Sequence, residues 1–96
     1  MYLLEISYTQ PVAQVEPHFA THGAWVKKYI DHGTFVFAGP KKSGLGGVIV
    51  SKSIDKATLS ALIAEDSFVL AGVAEYHVVD FECRVTAPAL DAMKVL

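Results

Sequence analysis

Alternation dominates the start of the chain. Tyr2, Leu4, Ile6 and Tyr8 fall on one side of an extended segment, Glu5 and Ser7 on the other, which is the pattern of a half-buried strand. Gln10-Pro11 ends it. The period then changes: Val15, His18/Phe19, His22, Trp25/Val26 and Tyr29/Ile30 recur at helical spacing. This helical segment runs from about Val12 to His32. A short lead-in turn precedes the main helix, which starts at Pro17, where a missing N–H is tolerated, and Gly33 stops it. Thr34 to Ala38 is apolar and rich in β-formers, predicting a buried central strand broken by Gly39-Pro40. Lys41 to Gly47 reads as a loop and Val48 to Ser51 as a third strand. A second helix starts near Asp55, a good cap, and carries Leu59, Leu62 and Ile63 at core spacing. Asp66-Ser67 interrupts it, and Phe68 to Ala71 adds a turn closed by Gly72. Glu75 to Arg84 is the last strand, with His77, Val79, Phe81 and Cys83 opposite Tyr76, Val78, Asp80 and Glu82. The tail after Pro88 is a helical turn or an arm.

The order β-α-β-β-α-β predicts an α+β fold of the ferredoxin-like kind, a four-stranded antiparallel sheet with two helices on one face. Length adds that residues 1–96 form one domain. Composition adds more. Hydrophobic residues make up 52% of the chain and charged ones 19%, which is more apolar than a small monomer needs. The sheet face without helices has no cover within the chain. Both points predict sheet-to-sheet packing in a homodimer.

Charge excludes several classes. The net charge is -2, and Lys27/Lys28 and Lys41/Lys42 are isolated pairs, so no footprint for nucleic acid is present. No apolar run reaches the roughly 18 residues of a membrane span, and the first residues lack the basic and cleavage regions of a signal peptide. A single cysteine, Cys83, suits a reducing compartment. A cytoplasmic location is expected.

His22 is the residue that raises a chemical question. An imidazole within an apolar stripe is costly to bury unless something pairs with it. Asp66 continues the Leu59, Leu62, Ile63 stripe by one turn and also points inward, so the two can meet over the sheet. A carboxylate at that place orients the ring and makes it a better base. The backbone dipole disfavours a carboxylate near a helix C-terminus, so its presence there asks for a reason. Two bland readings compete: Asp66 caps the turn at Ser67, and His22 is a hydrogen-bonded core residue. His18 and His22 share a helix face at a spacing that can bind zinc. No third ligand stands at a matching position, and Asp31 lies about half a turn round the wheel, so no metal is expected. Cys83 reads as packing. Gly44-Leu45-Gly46-Gly47 lacks the Lys-Ser/Thr of a phosphate loop and opens a strand. An aromatic-walled cleft suits a small molecule, and Trp25, Tyr29, Phe35, Phe37, Phe68 and Tyr76 are the candidate walls, most of them ordinary core. Trp25 and Phe68 are expected nearest His22 and Asp66, with Ser43 either a hydrogen-bond donor at the mouth or an ordinary loop serine.

Three stretches carry a resemblance. They are His22 with the strand ending Phe37-Ala38-Gly39-Pro40, the glycines of Gly44-Leu45-Gly46-Gly47, and Asp66-Ser67-Phe68-Val69-Leu70-Ala71-Gly72-Val73. In this order they resemble the YCII-like domain over nearly the whole chain. The resemblance implies a ferredoxin-like fold, dimers of the dimeric α+β barrel type, and an architecture similar to muconolactone isomerase. It also implies that His22 and Asp66 act together. Ser67 stands where the family's Asp-Pro-Phe/Tyr motif has proline. One activity associated with the family is dehydrochlorination of a chlorinated hydroxyhydroquinone. The expected function is therefore proton-transfer chemistry on an oxygenated aromatic ring, with HCl elimination the specific reaction. His22 and Asp66 would be the catalytic pair, Trp25, Ser43 and Phe68 the substrate contacts, and no cofactor would be used. The alternatives are a non-catalytic ligand-binding or assembly module, or an isomerase or monooxygenase of the related barrel type.

Overall fold

Alternation in the first segment does what the pattern implies. β1 (Tyr2–Tyr8) buries Tyr2, Leu4 and Ile6 against the helices. The computed structural model describes residues 1–96. After β1 come α1 (Val12–Val15), a 3-10 turn (Glu16–His18) and α2 (Phe19–Asp31). β2 (Phe35–Pro40) and β3 (Gly46–Ser51) follow, then α3 (Lys56–Ala64), α4 (Ser67–Leu70) and β4 (Ala74–Asp80). A 3-10 segment, Pro88–Val95, closes the chain. The strand order is β2-β3-β1-β4 and every neighbouring pair is antiparallel, which is the ferredoxin-like arrangement of an α+β fold. No helix is long and apolar enough to cross a membrane.

The core lies between helices and sheet. Leu4, Ile6, Phe35 and Ile49 from the strands meet Val15, Trp25 and Tyr29 from the first helical segment and Leu59, Leu62 and Phe68 from the second. Local signals set the helix ends. The Asp55 carboxylate accepts the Thr58 N–H at 2.7 Å and caps α3, and that bond holds its carboxyl below the ordinary carboxylate value. Gly33 takes φ +78° after α2, a conformation that favours glycine, and its N–H reaches the Ile30 carbonyl at 3.0 Å.

Four boundaries differ from the sequence reading, each for a physical reason. The main helix starts at Phe19 because Glu16–His18, which contains Pro17, winds more tightly as a 3-10 turn. β2 is an edge strand, not a central one, and Gly39-Pro40 belong to it. An edge position tolerates the N–H that Pro40 lacks. A bulge between Phe35 and Phe37 then turns Phe37 away from the helices and leaves it half exposed. The third strand begins two residues early because Gly46 and Gly47 already pair with Ser7 and Ile6. β4 stops at Asp80, not Arg84, because its one partner, β1, begins at Tyr2, which is paired with Asp80. Past it, only Phe81 reaches Met1: its N–H donates to the Met1 carbonyl at 3.0 Å and its carbonyl accepts from the Met1 amino group at 2.9 Å.

Gly46 is fixed by space. A Cβ there would sit 1.9 Å from the Ile6 carbonyl oxygen, part of the neighbouring strand's backbone. Gly46→Ala should therefore destabilise the fold at or beyond the upper end of the ~1–3 kcal/mol typical of overpacking. Urea denaturation checks this, and a change below about 0.5 kcal/mol would contradict the packing described.

Candidate active site

The break between α3 and α4 places the carboxylate. α3 ends at Ala64, Glu65 keeps helical angles, and Asp66 turns extended with φ -64° and ψ 129°. Its Oδ1 accepts the Phe68 N–H at 3.1 Å, so Asp66 is the N-cap of α4. The dipole argument from sequence thus reverses: the carboxylate faces the donor end of a new turn rather than the acceptor end of the old helix. Ser67 stands at the first position of that turn, where proline is also well suited. Its hydroxyl donates to the His18 carbonyl at 3.2 Å, tying α4 to the 3-10 turn. A side-chain bond here anchors the loop where a proline ring would stiffen it.

His22 reaches Asp66 from α2. Nδ1 lies 2.7 Å from Asp66 Oδ1. The imidazole also stacks face to face on Phe68, with centroids 3.9 Å apart and an interplanar angle of 4°. Phe68 therefore fixes both partners, one through its backbone and the other through its ring. A carboxylate can only accept, so the bond requires the proton on Nδ1 and leaves the Nε2 lone pair unengaged within the chain.

The third group comes from β4. Ile6 and Tyr76 are directly paired across β1 and β4, so both face the helices. The Tyr76 hydroxyl donates to Asp66 Oδ2 at 2.6 Å. Burial first, then the bond to the carboxylate and its charge, push the phenol far above its ordinary value. It remains a neutral donor throughout the working pH range. Asp66 has no exposed surface and is met by donors from α2, α4 and β4.

Beside this chain lies a cavity of about 430 Å³. His22 and Phe68 line it together with Tyr8, Phe19, Val26 and the glycine pair Gly46-Gly47. The wall is mainly apolar and the imidazole is one of its few polar groups, the composition of a small-molecule site. Two expected contacts are not in that wall. Trp25 lies beside the imidazole, as expected, with centroids 5.8 Å apart, but it is core and packs edge-on against Phe35 and Tyr29 at 5.3 and 6.0 Å. Ser43 is exposed in the loop, and its Oγ accepts the Leu45 N–H at 3.2 Å. No three His, Cys, Asp or Glu side chains gather in a way that could hold a metal ion.

Sequence pattern offers Tyr76 as a candidate pocket aromatic but gives no sign of its bond to Asp66. The alternation of β4 separated it from His77, but only the strand register puts it over the helices. Tyr8 and Gly23 also line the wall, which strand alternation and helical spacing do not signal.

Fold and site together define an α+β, ferredoxin-like domain with a His–Asp pair beside a sheet-lined pocket. The chain belongs to the YCII-related domain family, whose model matches residues 1–82. No curated protein matches the sequence. Among solved structures it is similar to the 5-chloro-2-hydroxyhydroquinone dehydrochlorinase of Burkholderia phenoliruptrix AC1100 in complex with 2,5-dihydroxybenzoquinone. The TM-score is 0.69 at 16% identity, with 85% of this chain and 94% of that chain covered. At that identity the likeness speaks for the fold.

Tyr76 also gives a signed pH effect. Its folded-state value is raised, so its contribution to stability is complete below the phenol's ordinary 10.0 and falls as pH rises above it. Tyr76→Phe should flatten the loss of stability above pH 10 relative to wild type without abolishing it, since burial also raises Tyr2, Tyr8 and Tyr29. Equal alkaline limbs in denaturation series on both proteins would contradict this. Asp66→Ala strands the Tyr76 and Phe68 donors and should cost more than about 2 kcal/mol by urea denaturation, at ~1–3 kcal/mol per orphaned buried group. A loss under 1 kcal/mol would show that the carboxylate is not holding these elements together.

Proposed function

We propose that the protein is a cofactor-free enzyme that moves protons on an oxygenated aromatic ring, with His22 as the general base and Asp66 holding it. The observation that carries this reading is the 2.7 Å contact between Nδ1 and Asp66, made by a histidine that lines a mainly apolar cavity and whose Nε2 has no hydrogen-bond partner in the chain. A base so held needs no reorganisation when it accepts a proton, and the buried carboxylate offsets the charge of the imidazolium that forms. Phe68, stacked on the imidazole and part of the cavity wall, is the proposed substrate contact.

Elimination of HCl from a chlorinated hydroxyhydroquinone is the specific reaction. A dehydrochlorinase with the same fold supports it, as does a site built around a single base. Nε2 first takes the proton of the hydroxyl beside the C–Cl carbon and returns it to that carbon. A keto tautomer with a tetrahedral C–Cl centre results. Nε2 then takes the proton of the hydroxyl para to the new carbonyl. A second C=O forms, the ring electrons shift, and the C–Cl bond breaks to release chloride. One proton remains on His22 and one chloride departs, so the products are a hydroxyquinone and HCl. No oxidant is consumed.

A homodimer belongs to the same proposal. Only 18 of the 96 residues are buried in the lone chain although 52% are hydrophobic, so much apolar surface is left for a second copy to cover. The helix-free face of the sheet supplies it through Leu3, Phe37 and Val79. Phe37→Asp should shift the protein from dimer to monomer in sedimentation equilibrium. A wild type that sediments as a monomer would remove this part of the proposal.

Chloride release from 5-chloro-2-hydroxyhydroquinone tests the reaction. His22→Ala should lower the rate about 10²–10⁴-fold, the range for loss of a general base. Asp66→Asn should slow it less, because the amide still occupies the site. Equal release by wild type and His22→Ala would overturn the mechanism.

A further inference from the structure

Gly23 stands in the interior of α2, one residue after the proposed base. Glycine is the poorest helix former after proline, so a reason for it is required. Backbone conformation gives none, because Gly23 is helical and is not among the glycines with positive φ. Packing gives none either, because a Cβ built there meets no atom within 4 Å. What Gly23 does is line the cavity, together with His22 and Val26 of its own helix and the small residues Ala38 and Gly39 of β2. A Cβ at Gly39 likewise meets nothing within 4 Å. Volume points the same way. A cavity of ~150 Å³ suffices to hold benzene, and this one measures about 430 Å³.

We infer that Gly23 is a specificity-determining position, and that the site takes a ring carrying a bulky substituent or a fused second ring, whose extra bulk lies against the Gly23 backbone. The inference rests on the proposed function, since it takes the cavity to be the ring-binding site, and it narrows the substrate class. The single-ring hydroxyhydroquinone then fits with space to spare, and larger hydroxylated rings are the better occupants. Phe19, Val26 and Lys27 of α2 line the cavity with Gly23; the Lys27 ammonium is bound to Asp31 at 2.9 Å, so the grip on the added bulk falls to Phe19 and Val26 and the second ring or substituent is apolar too.

Two probes separate the possibilities: 2,5-dihydroxybenzoquinone, with one ring, and 2-hydroxy-1,4-naphthoquinone, with two. Their dissociation constants are measured by isothermal titration calorimetry on wild type, Gly23→Ala and Gly23→Leu, together with each protein's Tm. Wild type should bind the two-ring probe at least ten-fold more tightly than the one-ring probe. That ratio should fall stepwise through Gly23→Ala and approach one in Gly23→Leu. The Tm of Gly23→Ala should rise, because alanine is the better helix former, so lost binding cannot be assigned to a damaged fold. An equal affinity of wild type for both probes, or a ratio unchanged in Gly23→Leu, overturns the inference while leaving the proposed function standing. Failure of wild type to bind either probe overturns both.

Discussion

A carboxylate sealed from water must find all its hydrogen bonds inside the protein, and Asp66 does so by drawing on three separate elements. The Phe68 N–H, the His22 imidazole and the Tyr76 hydroxyl converge on its two oxygens. Buried charge is costly unless it is met in this way. The requirement joins the end of the second helical segment to the first helix above and to the edge strand β4 below. It also explains why the chain breaks where it does. A continuous helix through residues 64–70 would point the carboxylate at its own backbone acceptors, whereas the break gives it the donors of a new turn. The site and the architecture are consequences of one buried group.

Chemistry follows from the order in which that group's bonds are taken. Oδ2 is occupied by a phenol that stays neutral, and Oδ1 is shared between a backbone donor and the imidazole. Phe68 confines the imidazole to one plane. What remains free is a single nitrogen directed by its partners rather than by substrate. In the proposed function, such preorganisation is what lets the histidine serve as a base. Both bland readings of the sequence are partly true here: Asp66 does cap α4, and His22 is hydrogen-bonded. Those roles are what place the pair.

Much of this was legible in the chain. Period and punctuation gave the element order, the Asp55 cap and the Gly33 stop, and the inward stripes of the two helical segments put His22 and Asp66 on the same side of the sheet. What the pattern could not convey was three-dimensional neighbourhood. Trp25 does neighbour the His22 imidazole, but it packs against Phe35 and Tyr29 in the core and does not reach the cavity. Ser43 sits in the right loop, yet a local backbone N–H uses its oxygen. Tyr76 is ten residues from Asp66 and is brought to it only by pairing of β4 with β1, a register that alternation alone does not set. The edge position of β2 and the early end of β4 are likewise facts about partners, since a strand extends only as far as its neighbour does.

The account turns on which nitrogen of His22 carries the proton, because a base is available only if Asp66 holds the proton on Nδ1. Nitrogen-15 NMR of the imidazole-labelled protein, recorded where His22 is neutral, reads this directly. The account gives a protonated Nδ1 and a lone-pair shift at Nε2 in wild type, with averaging of the two tautomers in Asp66→Ala. A protonated Nε2 in wild type, or the same spectrum in both proteins, would contradict it.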